Sequence, residues 1–163
     1  MQDVKDKIAL ITGGASGIGQ GIGLALAREG AHIVVADIDA DNANKAAESL
    51  RGQGVRSLAV RTDVRDPGSV DALFEAAISE FGGVDLVFNN AGVYLGGEMR
   101  DCTFDDWKFV LDVNVDGVFH VGQRAAALLR KQDRGGHIVN TASIGGFMSH
   151  GGGLAYAVSK FGV

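Results

Sequence analysis

Thr12-Gly13-Gly14-Ala15-Ser16-Gly17-Ile18-Gly19 follows the apolar run Ile8 to Ile11 and leads into a helical stretch that runs through Glu29 and closes at Gly30. Glycines in a strand-to-helix turn let a diphosphate approach the backbone and rest on the helix N-terminus. The turn is not a Walker A loop, because Gln20 and Gly21 stand where Lys and Ser/Thr would grip a nucleoside triphosphate. Nor do three of its glycines have the G-x-G-x-x-G spacing. Taken alone it would serve equally as a tight connection. Asp37, 18 residues after Gly19 at the end of the next apolar run, changes that weighting. A carboxylate there accepts hydrogen bonds from an adenosine ribose and repels a 2′-phosphate. No Arg or Lys lies between Gly13 and Gly19, and Ile38 and Asp39 follow Asp37, so NAD(H) is expected over NADP(H).

Outward from this turn, strands and helices alternate. Ile33 to Ala36 reads as a buried strand, Asp41 to Arg51 as a polar helix stopped by Gly52, and Val55 to Arg61 as a strand. Asp66 before Pro67 is an N-cap, and the helix it opens ends at Gly82 and Gly83. Val84 to Phe88 is a fourth strand. Thr103 with Asp106 resembles a capping box and opens a long helix to about Lys131. His137 to Thr141 is a fifth strand, and a last helix begins at Ala155. Such alternation implies a parallel sheet covered on both faces, as one domain over residues 1–163.

Each strand delivers a polar group at its carboxyl end: Thr12, Asp37, Asp63, Asn89 with Asn90, and Ser143. Ligands of open parallel sheets bind outside those ends, where the strand order reverses. That coincidence marks a cofactor site.

The final helix supplies a reaction. Tyr156 and Lys160, four residues apart, share one helix face. A phenol titrates near pH ~10, and a fixed ammonium beside it favours the phenolate. Tyr156 could then take the proton of a secondary alcohol as hydride leaves the same carbon, with Ser143 holding the oxygen.

Bulk properties narrow the partners. The chain has 163 residues, 46% of them apolar, and a net charge of −5 with no basic run, which argues against nucleic acid or an anionic membrane surface. Cys102 is the only cysteine, Met1 to Lys7 is too charged for a signal peptide, and no apolar run approaches membrane-spanning length. A cytoplasmic setting is expected. His32, His120, His137 and His150 lack metal-site spacing, so no metal is expected, and three of them sit in or beside core elements, so satisfied structural histidines are expected; His150 lies in the loop between Ser143 and Tyr156, where contact with a substrate is the lesser reading. Asn114 sits inside the long helix, flanked by Val113 and Val115, with Val110, Val118 and Phe119 read as its buried stripe. On position alone it serves equally as a solvent-facing residue or as a buried one, and a buried Asn in a helix needs partners for its amide.

TGGASGIG at 12–19, NNAG at 89–92, Asn114 in VNVDG, Ser143 and Tyr-x-x-x-Lys at 156–160 occur in order, and together they resemble the short-chain dehydrogenase/reductase family in its single-domain form. The likeness covers essentially the whole chain. It implies a Rossmann-type doubly wound sheet with strand order 3-2-1-4-5. It implies Tyr156 as general acid/base, Lys160 lowering its pKa and holding the nicotinamide ribose, Ser143 placing the substrate oxygen, and Asn114 opening its helix locally and supporting a relay water. It places the cofactor on Gly13, Ser16, Gly17, Ile18, Gly19 and Asp37, with Asp63 and Val64 on the adenine and Asn90, Ala91 and Gly92 along the adenosine side. It further implies a homo-oligomer, dimer or tetramer, paired through the long helix and the Tyr/Lys helix.

Family members continue past the Tyr/Lys helix with further strands and a substrate-closing loop, whereas this chain stops at Val163. An N-terminal portion of a longer enzyme is therefore expected, and for the chain alone weak cofactor binding, little activity and a tendency to aggregate. The alternative is an impaired fragment or a protein that senses dinucleotide without turnover. Substrate identity stays open among polyols, diols, acyl-thioester ketones and steroids.

Overall fold

The computed structural model describes residues 3–148 and 152–163. Five strands form one parallel sheet: β1 (Ile8–Thr12), β2 (His32–Asp37), β3 (Ser57–Arg61), β4 (Leu86–Asn89) and β5 (His137–Asn140). Their order is β3-β2-β1-β4-β5, the order implied by the family resemblance. The crossovers are α1 (Gly17–Arg28), α2 (Ala40–Arg51), α3 (Pro67–Phe81), then α4 (Phe104–Leu111) and α5 (Gly117–Gln132), with α6 (Leu154–Gly162) after β5.

Every residue of β1 is buried, because neighbours pair on both of its edges and helices cover both faces. Alternation divides its side chains between two cores. Leu10 joins Val34, Val87, Leu73, Phe74 and Val121 beneath α3 and α5. Ile11 joins Ile33, Val35, Ala47 and Leu50 beneath α1 and α2. Each fully buried aliphatic side chain contributes about 1.5–3 kcal/mol.

The helix signals act as they were read. Asp66 accepts from the Gly68 N–H at 2.9 Å, Pro67 opens α3, and Gly82 closes it in the left-handed region (φ 80°). Thr103 Oγ1 accepts from the Asp106 N–H at 3.1 Å, and its hydroxyl donates to the Asp106 carboxylate at 2.6 Å.

The starts of two strands are corrected. β3 begins at Ser57 and not Val55. β4 begins at Leu86 and not Val84, whose backbone groups are taken by a side chain. The Gln132 side chain receives the Val84 N–H (3.0 Å) and donates to its carbonyl (2.8 Å), while the Asp85 carboxylate accepts from the Ile8 N–H (2.9 Å). The helix from Thr103 is interrupted by a π-turn over Asp112–Asp116, which falls on Asn114, where the resemblance implied a local opening. Phe119 also leaves the expected stripe and is 60% exposed. It lies two residues before Val121 in α5, about 200° around the helix, which puts it on the opposite side; Gly117 and Val121 continue the buried face.

Among the described residues, no helix is long and apolar enough to cross a membrane. His32 and His120 have partners within the fold. His32 Nδ1 accepts from the Arg56 N–H at 3.2 Å, and His120 Nδ1 lies 3.1 Å from the Val64 carbonyl. His137 opens β5, the strand read for it, and is exposed. His150 lies outside the described residues.

Candidate active site

The carboxyl ends of the strands open onto a cavity of about 670 Å³. It is lined by Gly13, Ser16, Gly17, Ile18, Asp37, Asp63, Val64, Asn90, Ala91, Gly92, Ser143, Tyr156 and Lys160. Among the site residues read from sequence, only Gly19 and Asn114 are absent from its walls. Both shape it from behind.

Thr12 joins the first and fourth strands at the cavity floor. Its fully buried Oγ1 accepts from the N–H groups of Asn90 and Ala91, both at 3.0 Å, and donates to the Phe88 carbonyl at 3.4 Å. The Asn90 amide donates to the carbonyls of Thr12 (3.1 Å) and Gly13 (3.3 Å), and its Oδ1 accepts from the Thr141 hydroxyl (3.2 Å). Gly19 stands where this layer is tightest. A Cβ there would collide with the Gly13 carbonyl oxygen and come within 2.8 Å of Asn90 Nδ2.

The turn above this floor suits a diphosphate. Ser16, the N-cap of α1, makes no side-chain cap hydrogen bond, and the first turn holds no acidic residue. The N–H groups and the positive end of the helix dipole are therefore left to an anion. Gly17 (φ 51°) has no atom within 4 Å of where a Cβ would lie, so the approach is open. Asp37 faces the same space with both oxygens oriented, Oδ2 accepting from the Ala15 N–H and Oδ1 from the Asp39 N–H, each at 3.1 Å. The chain's own residues fit a dinucleotide.

At the third strand, Asp63 is gripped by Arg65, which donates from Nε (2.9 Å) and Nη2 (2.6 Å) to its two oxygens. These charge-assisted bonds hold the Asp63 carboxyl below the usual carboxylate range. Arg65 also lies over Phe109, 5.6 Å from the ring centroid, and both line the cavity. Neither was singled out from sequence; an Arg two residues from an Asp is too common to be a signal by itself.

The reacting end lies across β4 and β5. Ser143 Oγ accepts from the Gly145 N–H at 3.0 Å, which leaves its hydroxyl proton free to point elsewhere. Lys160 is 6% exposed, and its ammonium donates to the Thr141 carbonyl at 2.7 Å and sits 5.9 Å from the Tyr156 ring centroid. Burial pushes its pKa below the ordinary lysine value. Tyr94, also missed in the sequence, packs edge-on against Tyr156 with centroids 5.1 Å apart. Its only sequence signal was its place two residues after Gly92.

Asn114 sits in the π-turn, wholly buried. Its Oδ1 accepts from the Val93 N–H (2.8 Å), and its Nδ2 donates to the Val93 carbonyl (2.9 Å) and to Ser159 Oγ (3.0 Å). Ser159 in turn donates to the Tyr156 carbonyl at 2.7 Å. One amide thus connects the strand following Gly92 to the helix bearing Tyr156 and Lys160. The wider turn also lets Gly117 approach Val64, whose Cγ2 would lie 2.7 Å from a Cβ there.

A family profile described as short chain dehydrogenase matches residues 7–163. An uncharacterized oxidoreductase of Staphylococcus aureus is 37% identical over 160 residues, covering 98% of this chain and 68% of its own length. Among solved structures, a short chain dehydrogenase/reductase from Burkholderia phymatum in complex with NAD is 39% identical, with a TM-score of 0.96 over 99% of this chain and 58% of that one. An NAD⁺-bound xylitol dehydrogenase is 33% identical, with a TM-score of 0.94 over 99% of this chain and 62% of that one. The chain therefore spans about two thirds of the length of the proteins it matches. Motifs, strand order and these likenesses converge, and the chain belongs to the short-chain dehydrogenase/reductase family, whose members are oxidoreductases that use a nicotinamide dinucleotide.

Proposed function

We propose that the protein moves hydride between a secondary alcohol and its ketone, with NAD(H) as hydride partner and Tyr156 as general acid/base. The observation that carries this reading is a single cavity with Asp37 at the end of β2 and Ser143, Tyr156 and Lys160 beyond β4 and β5. Three strand spacings separate β2 from β5, roughly 14 Å, so one elongated ligand bridges an adenosine site and a reaction site.

When bound, the nicotinamide ring accepts or delivers the hydride. Tyr156 takes the carbinol proton during oxidation and returns it during reduction. Ser143, whose lone pair is occupied by the Gly145 N–H, donates its own proton to the substrate oxygen. The Lys160 ammonium lies 5.9 Å from the Tyr156 ring centroid, and its two remaining donors are left for the nicotinamide ribose. Asn114 positions Val93 and Ser159, and a second lone pair of Oδ1 is left as acceptor for a relay water. Asp63 and Val64, which line the cavity, would border the adenine, and Asn90 to Gly92 would follow the adenosine side.

The preference for NAD(H) rests on Asp37. A 2′-phosphate would meet its carboxylate, and like charges so placed cost several kcal/mol. Arg65 shares the cavity, but its guanidinium is committed to Asp63. The reading further includes a homo-oligomer in a cytoplasmic setting. A substitution at Tyr156 tests the central claim. Tyr156→Phe should keep its NADH affinity in fluorescence titration and lose about 10²- to 10⁴-fold in kcat. Near-normal turnover would end the assignment, and tighter binding of NADPH than NADH would overturn the cofactor choice.

A further inference from the structure

The reacting end holds an aromatic ring that the proposed hydride transfer does not use. Tyr94 lines the cavity beside Ser143 and Tyr156, yet it is 62% exposed. Its ring stands nearly perpendicular to that of Tyr156, at 81°. Two glycines press on it: a Cβ at Gly96 would lie 3.2 Å from the Tyr94 ring, and one at Gly153 would lie 2.8 Å from it. Gly153 is in the left-handed region (φ +69°), and its N–H donates to the Gly97 carbonyl at 3.0 Å. That bond ties the Tyr94 loop to the start of α6, the helix that carries Tyr156. Backbone thus takes up part of the ring, and the ring also lines the cavity.

We infer that Tyr94 is a specificity-determining residue that selects ring-bearing secondary alcohols and ketones, aryl or cycloalkyl, by packing against the substrate ring while Ser143 and Tyr156 hold the reacting oxygen. This role rests on the hydride transfer proposed above. The physical basis is the apolar area that two rings remove from water, with an added preference for edge or offset contact when both are aromatic. Val93 and Ala142 supply further apolar wall in the same cavity. A rigid ring also loses less conformational freedom on binding than an open chain of the same size.

The test compares 1-phenylethanol with 2-butanol as substrates of the natural gene product, with NAD⁺, for wild type, Tyr94→Phe and Tyr94→Ala. Wild type should have the higher kcat/KM on 1-phenylethanol. Tyr94→Ala should lose about tenfold of that preference, while Tyr94→Phe keeps it. NADH affinity should stay within about threefold across the set, because the ring faces substrate and not cofactor. An unchanged ratio in Tyr94→Ala overturns the inference, as does an equal fall on both alcohols, which would make the ring a mere prop for Tyr156. Loss of NADH binding in Tyr94→Ala overturns it too. So does a wild type that turns over 2-butanol but not 1-phenylethanol, although hydride transfer itself would then stand. A wild type that oxidises neither alcohol brings down the hydride-transfer reading and this one together.

Discussion

The two ends of the cavity are held by different forces. At the adenosine end backbone packs on backbone: β1 is buried along its whole length, and Gly19 rests on the Gly13 carbonyl with no room for a methyl group. At the reacting end the order comes from buried polar side chains, with Asn114, Ser159 and Lys160 all under 10% exposed. Large apolar residues nearby stay open, Ile144 at 70%, Phe147 at 82% and Phe161 at 61%. Steric contact is unforgiving and indifferent to pH. A polar network depends on every partner being satisfied, and on protonation. The first end should therefore fail through added volume, the second through lost hydrogen bonds.

The largest effect is expected at Gly19. Gly19→Ala sets a Cβ against the Gly13 carbonyl and Asn90 Nδ2, and since the first neighbour is backbone the turn itself must move. Overpacking of this kind costs about 1–3 kcal/mol or more. Dinucleotide affinity should fall with it, because the displaced turn is the one proposed to face the diphosphate. Gly21→Ala is the matched control two residues on in the same helix, where nothing lies within 4 Å of the new Cβ. It should stabilise by about 0.5–1 kcal/mol through helix propensity alone. Urea denaturation of both variants checks the contrast, and equal stabilities would refute steric control of this end.

Asn114→Ala removes three hydrogen bonds at the other end and leaves both backbone groups of Val93 without their partner. Each group left unsatisfied costs about 1–3 kcal/mol when fully buried; the two Val93 groups are only partly buried, so a loss in the lower part of that doubled range, about 2–4 kcal/mol, is expected. Turnover should fall more than NADH affinity, since the amide braces the helix of Tyr156 and Lys160. A stability change below about 0.5 kcal/mol would mean that water replaces the amide without cost, and that the network is not what holds this end.

How much of this was legible depended on the range of the interaction. Caps, turns and strand periodicity are local, so Asp66, Pro67, Gly82 and the order of elements could be read directly, and the polar residues at strand ends located the cavity. The start of β4 was misplaced because Val84 bonds to Gln132, 48 residues away, which no local pattern reports. Arg65 and Tyr94 were overlooked for the same reason, since their place in the cavity follows from the neighbours of β3 and β4. Asn114 was noticed as an anomaly of its helix, but Val93 and Ser159, its partners from distant segments, had no signal. Phe119 was misjudged by counting apolar residues without their angle around the helix.

The smallest effect concerns Lys160 and separates stability from function at the reacting end. Burial lowers its pKa, so the unfolded chain holds the proton more tightly than the folded one. The charged ammonium therefore weakens the fold at every pH below its folded-state pKa. This weakening fades as pH rises through that value towards the ordinary value of 10.5, where the unfolded chain also releases its proton. Lys160→Met removes the titration but leaves the Thr141 carbonyl without its donor. The stability of Lys160→Met relative to wild type should then be greatest near pH 7 and decline towards pH 10.5, while turnover is lost throughout. Paired urea melts at the two pH values measure the difference. A gap that stays constant would mean that the ammonium is as well solvated by its carbonyl as by water, and that burial is not what sets the charge of this residue.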